Sequence, residues 1–274
     1  MGSIFVHFLD VGQGNMNVIV FPDNFVMVYD CNISDDNEKN ILKYMKKILP
    51  KNEIDIFVNS HRDSDHMRGI KKLHATFPIK RLWDTDVSSN TDAPEYKEYM
   101  DFRRNMGDEV WIAKPNHILK AKPNVKILNG VRDGLDDPNS QSIVLHISNN
   151  NSSVLLSGDT DAIVWKDYIM KEASDKIKSD ILLASHHGSL TFFDDTRDEK
   201  YHYVSHIQAI SPSMTIISVG TNPHGHPDKK ALEYYDKYSK GSNLGNKVYR
   251  TDEKGNIKLE LKDDDGWNLT GEQN

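Results

Sequence analysis

The sequence predicts an α/β protein of two packed sheets flanked by helices, forming one domain over residues 1–262. Three observations carry that expectation. Short β-branched runs alternate with amphipathic stretches along the chain, which interleaves strands and helices. No Gly/Ser-rich or Pro-rich linker separates the two halves. Four polar clusters rich in His and Asp each follow an apolar run, and folds of this class gather function at strand ends.

Strands are expected at residues 3–9, 16–21 and 25–30, with Pro22-Asp23-Asn24 turning between the last two. A helix at 37–48 follows, because Ile41, Leu42, Met45, Ile48 and Leu49 recur three and four apart on one face. Next come a strand at 54–58, a helix at 66–76 stopped near Pro78, and a strand at 79–83. Residues 84–105 read as a polar insertion near the cleft, with a helix at 94–105. In the second half strands are expected at 109–113, 124–128, 142–147 and 152–157, with Asn149-Asn150-Asn151 as a turn. Helix 161–171 leads to strand 180–185, helix 201–210 to strand 214–219, and helix 227–239 to a terminal hairpin of 246–250 and 256–261. The tail over 263–274 has little to bury and is expected to be flexible.

Composition narrows the classes. The 274 residues, 37% hydrophobic and 27% charged, suit a globular chain with a substantial core. No run approaches the roughly 18 apolar residues of a membrane span. Ile4-Phe5-Val6-His7-Phe8-Leu9 lacks the basic leader of a signal peptide, so a cytoplasmic protein with no membrane partner is expected. The lone Cys31 has no partner for an internal disulfide, in keeping with a reducing compartment, and a nucleophilic role for it is not expected. The net charge of -7 gives no long-range attraction for nucleic acid, although bound cations would offset it locally.

The chemistry concentrates in Ser60-His61-Arg62-Asp63-Ser64-Asp65-His66, directly after the apolar run at 54–58. Crowding two imidazoles and two carboxylates at a strand end is unfavourable until a divalent cation reverses the sign. Positions 61, 63 and 65 can point one way while His66 turns back as a helix begins at Met67. That spacing suits two adjacent cations, His61 and Asp63 addressing one, Asp65 and His66 the other. Mixed imidazole and carboxylate donors fit zinc, manganese or iron and argue against calcium.

Three later segments place further donors just past expected strands. Asp159 closes Val154-Leu155-Leu156-Ser157-Gly158, where it can bridge two cations or cap the next helix. His186 and His187 stand beside Gly188 and Ser189. His224 and His226 lie on the loop Asn222-Pro223-His224-Gly225-His226-Pro227. Asp30 closes the run at 25–29, either to orient the cluster loop or as a simple turn acid. Asp10 opens Asp10-Val11-Gly12-Gln13-Gly14-Asn15, a tight turn lining the cleft that lacks the third Gly and the Lys-Ser/Thr of phosphate loops.

Taken together, FLDVGQGN at 8–15, HRDSDH at 61–66, LLSGD at 155–159, SHHGS at 185–189, SVGTNPHGHP at 218–227 and YRTDEKGNI at 249–257 resemble the metallo-β-lactamase superfamily. Within it the likeness is to the soluble hydrolase domain of ComEC-type DNA-uptake proteins. The resemblance implies a four-layer αβ/βα sandwich with a dinuclear site of two divalent ions, zinc or manganese, between the sheet edges. HRDSDH matches that branch's HxDxDH variant, in which Asp63 stands in place of the superfamily's usual second His. The chain departs from the pattern in three places, two of them Asn15 for an Asp and His224 for a Tyr. The third-motif His has no clear equivalent, the nearest segment being Asn139-Ser140-Gln141-Ser142-Ile143, which leaves one ion with fewer protein ligands. Membrane-channel segments are absent, so a role in pulling DNA through a membrane is not expected.

The reading that follows is a metal-dependent hydrolase, foremost a phosphodiesterase or nuclease that uses hydroxide held between two ions. His61, Asp63, Asp65, His66, Asp159 and His186 are the expected ligands. Asp65, His187 and His226 are expected to be catalytic, the two imidazoles as candidates to protonate the leaving oxygen. Asp30 and Asp10 stand behind the ligands, and Ser189, Asn222 and His224 face a nucleic acid or nucleotide substrate. Two alternatives stay open: hydrolysis of a small cyclic nucleotide, lactone or amide, and a non-catalytic sensor or binding module pinned by metal.

Overall fold

Alternation along the strands decides which layer each side chain enters. The computed structural model describes residues 2–87, 91–120, 122, 124–194, 196, 198–240 and 247–272. The chain opens with antiparallel strands β1 (Ile4–Phe8), β2 (Asn17–Val20) and β3 (Val26–Tyr29), then β4 (Cys31–Asn32) and α1 (Glu38–Ile48). It continues through β5 (Ile56–Val58), α2 (Ser64–Met67), α3 (Ile70–Thr76), β6 (Leu82–Asp84), α4 (Pro94–Met106) and β7 (Val110–Ile112). In the second half β8 (Val125–Asn129), β9 (Val144–Asn149) and β10 (Ser152–Leu156) are antiparallel. Then α5 (Ala162–Val164) runs through a π turn (Trp165–Ile169) into α6 (Met170–Ala173). β11 (Ile181–Leu183), α7 (Ser205–Ile210), β12 (Met214–Ile217), α8 (Lys229–Tyr238), β13 (Val248–Arg250), α9 (Thr251–Lys254), β14 (Asn256–Leu261) and β15 (Trp267–Glu272) complete it.

Eight strands form one sheet in the order β15-β14-β1-β2-β3-β5-β6-β7, and six form the other in the order β13-β12-β11-β10-β9-β8. Met27 and Tyr29 point between the sheets with Ile56 and Val58, meeting Leu156, Leu183 and Ile216 from the facing sheet. Their neighbours Val26, Val28 and Phe57 point outward onto α1, α3 and α4 through Ile41, Met45, Leu73, Tyr99 and Phe102. On the other side Leu155, Leu182 and Ile217 pack with Trp165, Ile207 and Tyr235 of the second helical layer. The result is the four-layer helix, sheet, sheet, helix order expected. Each fully buried side chain of this kind is worth roughly 1.5–3 kcal/mol of apolar transfer, and the parallel strands β3, β5, β6 and β10, β11, β12, β13 end on one rim of the sandwich.

Four expectations are corrected. The helix over 66–76 is two helices: Gly69 has φ 74°, and a Cβ there would collide with the Ile33 carbonyl, so the chain kinks where α2 meets β4. The first of them begins at Ser64 rather than Met67, with Asp63 extended at its N-cap, so Asp65 and His66 lie in its opening turn. The terminal hairpin does not form. β13 pairs with β12 in the six-stranded sheet and β14 with β1 in the eight-stranded one, because α9 reverses the chain and Thr251 Oγ1 bonds both the N–H and the C=O of Val219. Residue 246 of that hairpin lies outside the described residues. The tail, finally, is an edge strand: β15 pairs with β14 along Trp267–Glu272, and Trp267 and Leu269 pack on the inter-sheet core. In the segment 84–105, residues 88–90 lie outside the described ones; α4 opens on Pro94 and buries Tyr99 and Phe102.

His206 of α7 is fully buried against Trp165, Phe192 and Phe193, with Tyr203 stacked on it at 5.2 Å. Burial pushes its pKa from 6.5 down to about 3. The unfolded chain therefore takes up a proton below pH 6.5 that the folded chain refuses, and stability drains as pH falls through that window. His206→Phe is expected to remove on the order of 2 kcal/mol of the stability difference between pH 7 and pH 5, measured by urea unfolding. Identical pH slopes in the two proteins would contradict the neutral buried imidazole.

Candidate metal centre

Strand direction brings the donors together. Asp30 follows β3, residues 60–66 follow β5, Asp159 follows β10, His186 and His187 follow β11, and residues 218–227 follow β12. Parallel strands that end on one rim deliver these loops to one cleft. The turns are tight. His186, His187 and Gly188 carry φ of 50°, 54° and 82°, a left-handed run that costs roughly 1–3 kcal/mol per non-glycine residue. Gly158 has φ 55°, and a Cβ there would sit 2.9 Å from Ser142 Cβ and 3.0 Å from Tyr29 Oη, so only glycine lets Asp159 enter.

At the centre lies the Asp159 carboxylate, 2% exposed. Its Oδ1 is 3.3 Å from His66 Nε2, and its Oδ2 is 3.7 Å from each of His61, His186 and His187 Nε2. Burial disfavours this charge, but His66, His186, His187 and His61 outweigh it and hold the carboxyl well below its ordinary pKa. Asp65 Oδ2 is 3.2 Å from His187 Nε2, and Asp63 Oδ2 is 3.5 Å from His61 Nε2.

Hydrogen bonds behind the rings set their tautomers. Asp30, at φ 62°, accepts from Ser60 N at 2.7 Å, from Ser60 Oγ at 2.9 Å and from His66 Nδ1 at 2.8 Å. Because Ser60 Oγ donates to Asp30, it accepts from His61 Nδ1 at 3.0 Å. His187 Nδ1 donates to the Ser218 carbonyl at 2.9 Å. All three rings therefore present Nε2 lone pairs to the same small space. His66 and His187 Nε2 are only 3.2 Å apart, a contact that a proton or a cation must relieve. Burial resists charge on His66, yet Asp159, Asp30 and Asp65 raise its pKa well above the ordinary value. His61 Nε2 and Asp159 Oδ1 are buried with no hydrogen-bond partner. Two donor sets result, His61 with His66 and Asp159, and Asp65 with His66 and His187, each with its atoms within 4.8 Å of one another. Such mixed N/O sets fit zinc, manganese or iron, so these residues could hold divalent ions.

The remaining expected residues divide. His186 is 26% exposed at the mouth, with Nδ1 3.2 Å from Thr191 Oγ1 and its ring 5.3 Å from His226. Burial and the imidazoles of His186, His187 and His224 hold His226 down at about 4, hence neutral at pH 7, and His224 stacks on it at 5.8 Å. Ser189 caps the turn that carries Thr191 and so acts on His186 indirectly. Asn222 is spent on its own loop: it accepts from the N–H groups of His224 and His226 and donates to the carbonyls of Gly220 and His226. Asp10 accepts from Gly12 N within the glycine turn. That turn steadies the site through backbone, since Asn15 N donates to the Asp65 carbonyl and Ser218 Oγ to the Gly14 carbonyl. The segment 139–143, nearest to the missing motif His, contributes a hydroxyl, Ser142 Oγ accepting from Asp159 N at 3.1 Å.

Several supporting residues escaped the sequence reading. Ser60 and Ser142 are short hydroxyls with no spacing signal. Arg62 does have one, being the single basic residue inside the cluster. It is buried on the opposite side, with Nη2 2.6 Å from Asp84, and Arg103 of α4 reaches the same carboxylate at 2.6 Å.

Residues 9–199 match the family described as the Metallo-beta-lactamase superfamily. A Haemophilus influenzae protein named Recombination protein 2 is 26% identical over 238 residues, 84% of this chain and 26% of that protein, so the chain spans about a quarter of that relative. Among solved structures, Igni18, a metallo hydrolase from the archaeon Ignicoccus hospitalis, matches with TM-score 0.52 and 12% identity over 93% of this chain and 98% of that one. CmlA, a diiron beta-hydroxylase from Streptomyces venezuelae, matches with TM-score 0.57 and 12% identity over 94% of this chain and 54% of that one. Identities this low establish the shared fold and leave the chemistry to the residues.

If Asp30 and Ser60 set the rings, Asp30→Asn and Ser60→Ala should each weaken manganese or zinc binding by roughly 10- to 100-fold in chelator competition. The circular dichroism spectrum should be unchanged; unaltered affinity in both variants would refute the assignment of tautomers.

Proposed function

The chain belongs to the metallo-beta-lactamase superfamily, and we propose that it is a metal-dependent phosphodiesterase, foremost a nuclease. The observation that carries this is the buried Asp159 carboxylate between two sets of lone-pair donors whose outward nitrogens are already fixed by hydrogen bonds. The phosphodiester part is supported by the identity shared with a relative named for recombination, a reaction of polynucleotides.

Divalent ions held there supply Lewis acidity and bring water within reach of deprotonation near neutral pH. The chain does the rest. His61 and Asp63 would hold one ion and Asp65, His66 and His187 the other, with the Asp159 carboxylate lying between the two donor sets. This reassigns His187 from proton donor to ligand, because its Nδ1 is committed to the Ser218 carbonyl and its Nε2 to the Asp65 side. As water oxygen bonds to phosphorus, the P–O bond to the leaving sugar breaks and that oxygen needs a proton. We assign its delivery to His186 at the mouth, expected above as a ligand, with Thr191 steadying the ring and His226 packed against it; burial outweighs Asp159 and holds its pKa below the ordinary value, so donation strengthens as pH falls below neutral.

The net charge of -7 favours a second reading, hydrolysis of a small ester, lactone or amide by the same residues. Salt separates the two: polynucleotide binding falls steeply with ionic strength through counterion release, whereas a small neutral substrate hardly responds.

A manganese-versus-zinc screen over single-stranded DNA, duplex DNA, RNA and cyclic dinucleotides is expected to show hydrolysis that Asp65→Ala and Asp159→Ala abolish without loss of fold. Wild-type turnover in either metal-loaded variant would remove the mechanism. His187→Ala should lose one metal equivalent, whereas His186→Ala should keep the metal and lose roughly 10²–10⁴ in kcat.

A further inference from the structure

The cleft has a side compartment. Beside Asp159 a cavity of about 260 Å³ opens between residues 137–139, the start of α5 and the turn that carries Thr191 and Asp194. Asp137, Asp161 and Asp194 line it. Each is fixed by its own loop: Asp137 Oδ1 accepts from the N–H groups of Asn139 and Ser140, Asp161 from Val164 N and Ser140 Oγ, and Asp194 from Thr196 N. Arg132 of the same connection is engaged by Glu172 at 2.8 Å, and among the described residues no lysine or arginine ion pair reaches the three acids. Ile163 at the rim is 59% exposed, one of the few large apolar side chains left in water among the described residues. The other lip of the mouth is built of imidazoles, His186, His226 and His224.

The two lips therefore differ in charge. Were a scissile phosphate held over Asp159, one ester arm would head toward the imidazoles and the other toward the acidic compartment. A second phosphate on the acidic side meets three carboxylates of its own sign, while an uncharged sugar meets the Thr191 hydroxyl and Ile163. The volume points the same way, since it lies below the roughly 300 Å³ at which pockets for drug-sized ligands begin and suits one sugar rather than a run of nucleotides.

We infer that this compartment takes the uncharged end of the substrate, a nucleoside without a further phosphate, so that cleavage falls at a chain end or in a dinucleotide rather than inside a strand. The inference rests on the phosphodiesterase reading.

The test compares thymidine dinucleotide with its forms phosphorylated at the 5′ end or at the 3′ end, using manganese-loaded protein and the Asp137→Asn, Asp194→Asn double variant. Asparagine keeps the loop hydrogen bonds and removes the charge. The unphosphorylated dinucleotide is expected to exceed one of the two phosphorylated forms in kcat/KM by about fivefold or more at low salt, the gap closing to within about twofold in the double variant or at high salt. Calorimetry with phosphorothioate-linked versions should give the same order in Kd. Equal kcat/KM and Kd for all three substrates in the wild type, or a gap unmoved by the double variant, overturns the inference while leaving the phosphodiesterase reading in place. Turnover of internal linkages but of no dinucleotide also overturns it, and hydrolysis of no phosphodiester at all removes the parent reading and the inference with it.

Discussion

A buried carboxylate cannot keep its charge without compensation, and the organisation of this molecule's active rim follows from compensating Asp159. Four imidazoles, those of His61, His66, His186 and His187, bring Nε2 within 3.7 Å of its oxygens. Imidazoles alone do not finish the task, because a lone pair on His66 faces one on His187 at 3.2 Å. A proton on His66 relieves that contact at the cost of a buried charge, which Asp159, Asp30 and Asp65 offset. Divalent cations held there would relieve it too, and would also satisfy His61 Nε2 and Asp159 Oδ1, which are buried without hydrogen-bond partners.

Holding this cluster open takes support from both halves of the sandwich. On one side Asp30 and Ser60 lock two rings; on the other the Ser218 carbonyl locks His187, and the hydroxyl of the same Ser218 ties down the glycine turn that steadies Asp65. Farther out, Asp84 gathers Arg62 and Arg103, which fastens the metal-loop backbone to α4. An ion pair buried in this way is weak support for stability but costly to half remove. The helix α4 thus belongs to the rear wall of the loop, through Arg103, as much as to the surface.

Much of this could be read from the chain because strands announce themselves by apolar runs and ligands by their chemistry. His61, Asp63, Asp65 and His66, then Asp159 and the imidazole pair at 186 and 187, each followed such a run, and these side chains reached the same cleft. What stayed hidden depended on long-range contacts. The break at Gly69 exists because Ile33 occupies the space a continuous helix would need. Two neighbouring strands, β13 and β14, enter different sheets because Thr251 is anchored to Val219, a residue with no local mark. Asn222 looked substrate-facing by position, yet its loop consumes both of its amide atoms. The difference between His186 and His187 lies in what stands behind each ring, a threonine hydroxyl or a backbone carbonyl, and spacing alone carries no trace of that.

The central claim is that two cations sit on either side of Asp159. Anomalous diffraction from crystals grown with manganese, collected at the metal edge, tests it most directly. The account predicts two peaks, one bordered by His61, Asp63 and Asp159 and the other by Asp65, His66 and His187. A map with no peak in the cleft, or with ions only at sites away from Asp159, would contradict it.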